Sequence, residues 1–332
     1  MVKFAEVMER KQCLLIINPI SGTTNKRGLD KIVSRRLADI NLDMDVAWTT
    51  ARGDATRLAS EAVAKGYHSV IAAGGDGTVN ETAKALCGSS TALGILPCGS
   101  GNGLARHLDI PVDIDAALGI IAEDHIVACD YGTANDMPFF CTFGMGFDAA
   151  VSKKFASQKQ RGFITYIRSA FTEFKHFNPE EYVISANGAV ITENAFVVAV
   201  CNASQYGNNA YIAPRASMVD GLLDITIILH GNPITTALVG VDMLTGYINR
   251  NTLYHTFQVR EATITRKSAG PAHIDGEPVT IGDTTCIKCH PGALHIYTPS
   301  AERPFRPIIT PVTSRVKEIG YNIQRLFSHK HK

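Results

Sequence analysis

Two glycine-rich segments of the 332-residue chain carry the residue types that a phosphate-binding site needs. "GGDGT" (74–78) follows the apolar run "SVIAA", and "PCGSGNGLA" (97–105) follows "ALGIL". Adjacent glycines at the end of a strand clear side chains from one surface, and the next helix points unpaired N–H groups into that space. One such segment alone also fits a plain tight turn with a helix cap. Two of them at one sheet edge favour a nucleotide cleft.

Asp76 lies among the amides of the first glycine loop. A carboxylate there would repel a bare phosphate, so it indicates either Mg²⁺ bridging it to the phosphate or action on a nearby hydroxyl. Neither loop matches G-x-x-x-x-G-K-[ST] or G-x-G-x-x-G, which disfavours a P-loop protein and a dinucleotide-binding fold. The protein-kinase motifs are also absent.

The secondary-structure elements that must hold these loops follow two different patterns along the chain. Up to about Cys129, short apolar runs alternate with segments of helical spacing, which predicts a parallel sheet with helices on both faces. Beyond a boundary near 135–142, short alternating segments rich in Val, Ile, Thr and Tyr are divided by Asn-Gly, Asp-Gly and Pro-Gly. They predict an antiparallel all-β domain, a sandwich or an open barrel. Helical segments at 162–177 and 234–248 interrupt it.

Composition limits the classes of partner. The chain is 45% hydrophobic and 19% charged, with a net charge of +1, so nucleic acid is not an expected partner. The first twelve residues lack the apolar core of a signal peptide, and no apolar run reaches the roughly 18–20 residues of a membrane span. The eight scattered cysteines are expected to be free thiols in a reducing cytoplasm.

Five motifs in order resemble the diacylglycerol kinase catalytic domain family, which includes bacterial lipid kinases, sphingosine kinases and ceramide kinases. They are "NPISG" (18–22), "GGDGTVNE" (74–81), "LPCGSGNGLA" (96–105), the block from "VVAVCNAS" to "DITII" (197–228) and "HIDGEPV" (273–279). The resemblance covers about residues 12–300. It implies an α/β nucleotide-binding domain at 12–138, similar to NAD kinases and phosphofructokinases, and a β-sandwich lipid-substrate domain at 139–305.

The resemblance also implies roles for individual residues. The expected ATP contacts lie on four loops: Asn18, Thr49, Gly74, Gly75, Asp76, Gly77, Thr78, Asn80, Ser100 and Asn102. The catalytic base is either Glu277, which matches the base of the bacterial enzymes and has Asp275 beside it, or Asp76, which is favoured in sphingosine kinases. A carboxylate near the attacking hydroxyl is what phosphoryl transfer requires. By itself, Glu277 would be a solvated hairpin acid.

Two further assignments follow from the same resemblance, and a third follows from a basic run downstream of Asp148. Ser217 and Leu222, through backbone carbonyls, and Asp220, through its side chain, are the expected ligands of a structural Mg²⁺; the alternative is an ordinary β-turn. Asp148 is the expected contact to a substrate hydroxyl or amine, or a buried helix-capping residue. Lys159 or Arg161 could reach the phosphates, or belong to a solvated charged face.

Two motifs outside this set have plain alternatives. "CIKCH" (286–290) has the haem-attachment spacing, but in a strand its two cysteines would point to opposite faces, so core or edge thiols are expected rather than haem or zinc. Residues 306–332 space apolar side chains by four and three and carry basic residues, which predicts an amphipathic basic helix. That helix could bind an anionic membrane surface or pack on its own protein.

Together these observations predict an ATP- and Mg²⁺-dependent kinase that phosphorylates a primary hydroxyl of diacylglycerol, a sphingoid base or ceramide. It is expected in the cytoplasm, meeting its lipid at the membrane surface with peripheral association at the inner face, and edge-strand pairing could make a homodimer. The rivals are an NAD kinase-like enzyme, disfavoured by "LPCGSGN" and the 197–228 block, and a non-catalytic lipid carrier, disfavoured by retention of the four polar residues Asp76, Asn102, Asp220 and Glu277.

Overall fold

The computed structural model describes residues 10–22, 26–38, 42–156 and 177–301. Its first part is built on four parallel strands. They are β1 (Lys11–Ile17), β2 (Leu42–Trp48), β3 (Ser69–Gly74) and β4 (Ala92–Pro97). Their order in the sheet is β4-β3-β1-β2. Every residue of β3 and β4 is buried, as are the last five of β1, because both faces of this sheet are covered.

Helices cover the parallel strands on both sides. They are α1 (Leu29–Leu37), α2 (Asp54–Ala64), α3 (Asp76–Leu86), the short α4 (Gly103–His107) and α5 (Ile114–Ala122). Helix α1 packs with α5, and α2 packs with α3. The connection from β1 to β2 runs in one direction along the sheet, whereas the connections from β2 to β3 and from β3 to β4 run in the other. Because such connections are right-handed, α1 lies on one face of the sheet and α2 and α3 lie on the opposite face. The α/β expectation is confirmed.

The second part is a β-sandwich. Its strands are β5 (Ile126–Ala134), β6 (Met137–Phe139), β7 (Thr142–Gly146), β8 (Glu180–Ala186), β9 (Ala189–Cys201), β10 (Leu223–Leu229), β11 (Tyr254–Val259), β12 (Glu261–Arg266), β13 (Gly270–Ile274), β14 (Glu277–Ile281) and β15 (Thr284–Tyr297). All pairs among them are antiparallel. The long strand β9 pairs with β8 through residues 189–195 and with β7 through 197–201. The sandwich expectation is confirmed.

Two helices belong to this second part. Helix α6 (Phe147–Ala156) follows β7 directly, and α7 (Pro233–Thr245) is capped by Asn232, whose side chain accepts hydrogen bonds from two backbone N–H groups of its first turn. Helix α7 confirms the helix expected at 234–248; a short 3-10 helix, Ile248–Arg250, follows it. The helical segment expected at 162–177 lies outside the described residues except for Phe177, and so does the helix expected at 306–332.

Strand β15 joins the two parts. Its residues 284–288 pair with β12 of the sandwich, whereas Ile296 pairs in parallel with Leu93 of β4. Leu294, Ile296 and Tyr297 are buried in the same apolar core as β1, β3 and β4. Residues near the end of the range expected for the β-domain therefore complete the α/β core, so one continuous sheet runs through both parts.

No helix among the described residues is long and apolar enough to cross a bilayer.

Candidate active site

The carboxyl ends of the four parallel strands carry the loops in which ATP contacts were expected. In register, Ile17 pairs with Trp48 and with Ala73, and Gly74 pairs with Pro97. The four loops that follow these strands therefore emerge along one edge of the sheet. Parallel strands bring this about because all of them end on the same side.

The two glycine loops meet backbone to backbone. A Cβ on Gly99 would lie 2.7 Å from the Cα of Gly75, so a side chain at residue 99 would force the two loops apart. Gly22 of the first loop has φ +63, and a Cβ there would lie 1.6 Å from the carbonyl oxygen of Cys98. Three loops thus share one packed backbone surface, which only glycine permits.

Asp76 fastens the second glycine loop to the first. Its Oδ1 accepts a hydrogen bond from the Gly103 backbone N–H (2.7 Å), and its Oδ2 accepts one from the Asn102 N–H (2.9 Å). The residue is still exposed to solvent. The carboxylate therefore satisfies two N–H groups at the start of α4, which the sequence did not reveal, and it faces the space between the loops.

Asn102 shapes the second loop from within. It is buried and lies in the left-handed region (φ 50). Its Oδ1 accepts from the Gly99 N–H and its Nδ2 donates to the Gly99 carbonyl, each at 2.9 Å. Ser100, at the tip of the same loop, is exposed. The Ser100 side chain is therefore accessible from solvent, whereas Asn102 is engaged within the loop.

Asn18 and Thr49 lie on the first two loops. The Asn18 side-chain amide donates to Thr78 Oγ1 at 2.9 Å, which ties the first loop to α3. Thr49 is buried, and its backbone N–H donates to the Ile17 carbonyl. Gly74 makes room for Thr78, because a Cβ at residue 74 would lie 2.5 Å from the Thr78 Cβ. These contacts order the loops without any ligand.

The Asp-Gly-Glu segment forms the turn between β13 and β14. Asp275 (φ 49) and Gly276 (φ 82) both take left-handed conformations, as a two-residue type I′ hairpin requires. The Asp275 carboxylate accepts backbone hydrogen bonds of 2.7–2.9 Å from residues 140, 141 and 142. Asn80 Nδ2 donates a fourth, at 2.6 Å. Burial raises the pKa of Asp275, and the three backbone N–H groups oppose that rise.

Glu277 is the exposed acid of this turn. Its Oε2 accepts a hydrogen bond of 3.1 Å from the guanidinium of Arg52, on the loop between β2 and α2. The side chains of Glu277 and Arg52 are 48% and 82% exposed. Glu277 is therefore available to a reactant, whereas the Asp275 carboxylate is occupied by four donors. The Arg52 contact sets Glu277 beside the loop that follows β2, one of the four loops in which ATP contacts were expected.

Asp148 lies at the first turn of α6 and is 4% exposed. Its Oδ1 accepts from the Ala149 N–H, and its Oδ2 accepts from the Tyr206 hydroxyl (2.9 Å) and lies 3.1 Å from His273 Nε2. The structure thus surrounds the expected substrate contact with protein donors.

The segment 217–222 forms a turn in which Val219 and Asp220 are exposed and Met218 and Gly221 are buried. Asp220 accepts from the Leu222 N–H (3.0 Å) and from Gln258 Nε2 (3.1 Å), and the Ser217 hydroxyl accepts from the Val219 N–H (3.3 Å). Burial, with a contribution from the charge of Asp220, raises the pKa of Asp224 to about 6. In the part of the chain that the structure describes, no three His, Cys, Asp or Glu side chains group as metal ligands.

This turn offers Mg²⁺ one carboxylate and backbone carbonyls, and waters would have to supply the remaining ligands. If the ion binds, Asp220 with the carbonyls of Ser217 and Leu222 would hold it, and it would brace the turn that leads into β10.

Asp130, a buried acid behind this turn, was not among the residues expected from the sequence to be functional. Asp130, on β5, is 2% exposed and accepts from the backbone N–H groups of Gly221 and Gly292, each at 2.7 Å. It fixes the 217–222 turn against β15. Arg52, Tyr206 and His273 were missed as well. His273 could have been noticed, because it stands two residues before Asp275 in the same hairpin.

The cysteines agree with the thiol expectation. All eight are free, and Cys286 is exposed whereas Cys289 is buried, as alternation along β15 requires. His290 stacks on Tyr131 with ring centroids 4.6 Å apart. Lys159 and Arg161 lie outside the described residues.

Comparisons with known proteins identify the two parts of the chain. The diacylglycerol kinase catalytic domain family matches residues 12–134, and the YegS C-terminal NAD kinase beta sandwich-like domain matches residues 142–298. The chain therefore carries a diacylglycerol kinase catalytic domain followed by a YegS-type β-sandwich domain. The resemblance to the diacylglycerol kinase catalytic domain family is thereby confirmed, since both domains match in order.

Relatives and a solved structure extend the likeness over most of the chain. A protein named "Probable lipid kinase YegS-like" from Pseudomonas syringae pv. syringae is 27% identical over 299 residues, covering 88% of this chain and 95% of that protein. One of the same name from Pseudomonas aeruginosa is 28% identical over 299 residues, covering 88% and 96%. A diacylglycerol kinase structure from Bacillus anthracis superposes with a TM-score of 0.68 at 20% identity, covering 87% of this chain and 97% of that one, which shows a shared fold.

Proposed function

We propose that this protein is an ATP- and Mg²⁺-dependent lipid kinase that transfers the γ-phosphate of ATP to a primary hydroxyl of diacylglycerol, a sphingoid base or ceramide. The observation that carries the proposal is the Arg52–Glu277 contact of 3.1 Å. It sets an exposed carboxylate from the β-sandwich beside a loop at the edge where the glycine loops emerge. The match of residues 12–134 to the diacylglycerol kinase catalytic domain supports the same chemistry.

The nucleotide is proposed to bind along the joined loops. The amides around Gly75, Gly77 and Gly99, with the N-terminus of α3, would receive the phosphates. Asn18 and Asn80 are engaged with protein partners, so they would act by ordering the loops or by rearranging toward ATP. Asp76 faces the same space and would hold Mg²⁺, which neutralises charge on the transferring phosphate when bound.

Glu277 is the acid that best fits the role of base. In the proposed step, its carboxylate accepts the proton of the lipid hydroxyl while the hydroxyl oxygen forms a bond to the γ-phosphorus. The bond from that phosphorus to the bridging oxygen breaks, and ADP leaves with the electron pair. Asp275 fits the role poorly because four donors already occupy its oxygens, and Asp76 fits it less well because it holds the second glycine loop.

The substrate is proposed to reach the site from a membrane surface in the cytoplasm. The amphipathic segment 312–332 is the proposed contact, and deleting it should lower binding to anionic vesicles. Unchanged vesicle binding would exclude that role. A homodimer through an edge strand stays part of the proposal, tested by light scattering.

A panel of acceptors separates this function from its rivals. The protein is incubated with γ-labelled ATP, Mg²⁺ and, separately, diacylglycerol, sphingosine, ceramide and NAD, and the products are resolved. Label in one lipid supports the proposal. Label in NAD alone would favour the NAD kinase-like enzyme. Lipid binding with no ATP consumption would favour a non-catalytic carrier.

A further inference from the structure

A hydrogen-bonded network behind the Asp-Gly-Glu turn, built on the buried Asp148 and His273 and the half-buried Tyr206, connects it to the second glycine loop. We propose that Asp148, His273 and Tyr206 are positioning residues, which hold the 275–277 turn in the orientation that presents Glu277 to the reactants. The inference rests on the proposed kinase function for its kinetic consequence, but its structural consequence can be measured without any substrate.

The hydrogen bonds of His273 define its state. Its Nδ1 lies 3.3 Å from the Gly276 backbone N–H, which can only donate, so Nδ1 is an acceptor. The proton of a neutral ring is then on Nε2, which donates to Asp148 Oδ2 at 3.1 Å. His273 is 1% exposed. The ring therefore links a buried carboxylate to the residue that directly precedes Glu277.

Space for this pair is made on the neighbouring strand. A Cβ on Gly144 of β7 would lie 2.1 Å from Asp148 Oδ2 and 2.3 Å from His273 Nε2. Any other residue at 144 would break the bond between them. The backbone of β7 therefore accommodates the network by leaving out a side chain where the two polar groups meet.

Tyr206 carries the network to the nucleotide side. Its hydroxyl donates to Asp148 Oδ2 at 2.9 Å. In the loop that holds Tyr206, the Asn208 N–H donates to the Gly101 carbonyl (3.3 Å), and a Cβ on Gly207 would lie 3.4 Å from Gly101. Continuous contacts therefore run from the second glycine loop through Tyr206, Asp148 and His273 to Gly276, beside Glu277.

A positioning role differs from the substrate contact expected of Asp148. Three protein donors already converge on its two oxygens, and the side chain is buried. A substrate hydroxyl would have to displace one of them. In the positioning account, Asp148 acts on the reaction through the turn and does not touch the lipid.

The first test needs no catalysis. In protein with ¹⁵N-labelled histidine, the His273 spectrum should report protonated Nε2 and unprotonated Nδ1. His273→Asn can accept from Gly276 but loses Asp148, and His273→Gln can reach Asp148 but loses Gly276. Both should speed hydrogen exchange in the 270–281 hairpin while the exposed His255→Asn control does not. Protonated Nδ1, or unchanged exchange in both variants, would overturn the proposal.

The second test is kinetic and uses milder changes. Asp148→Asn offers one acceptor oxygen where three donors converge, and Tyr206→Phe removes a single hydroxyl. We expect kcat to fall about 10-fold or more in the first and less in the second, because small misplacements of a reacting group cost up to about 100-fold. KM for ATP and lipid should stay within about 2-fold.

The outcomes of the two tests separate the two proposals. A raised KM for lipid with unchanged kcat would mean that Asp148 contacts substrate and would overturn the positioning role. If the wild-type protein turned over no lipid, the kinase proposal would fail, and the imidazole spectrum and hydrogen exchange would still decide whether the network holds the turn.

Discussion

The side-chain amide of Asn80 donates a 2.6 Å hydrogen bond to Oδ2 of Asp275, across 195 residues of sequence. Asn80 belongs to α3, which starts at the first glycine loop, and Asp275 belongs to the turn that carries Glu277. This bond joins the proposed nucleotide side to the proposed catalytic side. Asn80 therefore has a structural partner in addition to the ATP contact expected from the resemblance.

Removing this bond should loosen the contact between the two parts. Asn80→Ala is expected to lower the free energy of unfolding by about 1.5–3 kcal/mol, the range for hydrogen bonds to charged groups. Asn80→Asp should cost more, because it sets a second carboxylate against Asp275. Denaturant unfolding measures both, with Asn249→Ala at an exposed position as the control. Equal stability of Asn80→Ala and wild type would show that the bond contributes nothing.

A substitution at Gly77 should test the proposed phosphate binding without changing the fold. A Cβ at this position meets nothing within 4 Å, so Gly77→Ala should fold normally. Its methyl group would still occupy space where the α3 amides are proposed to meet phosphate, so KM for ATP should rise about 10-fold or more. Gly240→Ala in α7, also without neighbours within 4 Å, is the control and should leave KM unchanged. Normal ATP affinity in Gly77→Ala would move the phosphates elsewhere.

Asp76 and Glu277 should respond differently to loss of charge. In Asp76→Asn, one of the two N–H groups at the start of α4 faces an NH₂ group, so the second glycine loop should loosen and ATP affinity should fall. Glu277→Gln leaves the loops intact and should bind ATP as the wild type does. Calorimetric titration with a non-hydrolysable ATP analogue compares them. Equal losses of affinity would contradict the assignment of distinct roles.

His107 should make stability depend on acid. Its Nδ1 accepts from the Ser204 N–H at 3.1 Å at the end of α4, and burial lowers its pKa from 6.5 to about 4. Between these values the unfolded chain binds more protons than the folded one, so stability falls as pH falls from about 6.5 to 4, by at most about 3 kcal/mol.

His107→Asn can keep the bond to Ser204 but cannot titrate. Unfolding measured at pH 7 and pH 4 should therefore show a smaller acid loss in this variant than in wild type. The exposed His255→Asn should keep the wild-type loss. The same acid loss in His107→Asn as in wild type would assign the effect to other groups.

The fold and the positions of the glycine loops could be predicted from the sequence, but the hydrogen bonds that join these loops to other segments could not. Buried apolar strands, each followed by glycines, predict where parallel strands end, because that pattern is local. The bonds of Asp76 to α4 and of Asn80 to Asp275 depend on how distant segments pack, and no spacing encodes them. Asp148 looks the same in sequence whether it faces substrate or His273. The return of β15 to β4 is non-local for the same reason.

We propose that Glu277 acts on a lipid hydroxyl beside ATP held by the glycine loops. The most direct measurement is transfer of label from γ-labelled ATP to the preferred lipid by wild type and Glu277→Gln under saturating conditions. We expect a labelled lipid phosphate from wild type and a fall in kcat of about 100-fold or more in the variant, the range for loss of a general base. Near-normal transfer by Glu277→Gln, or no labelled lipid from wild type, would contradict it.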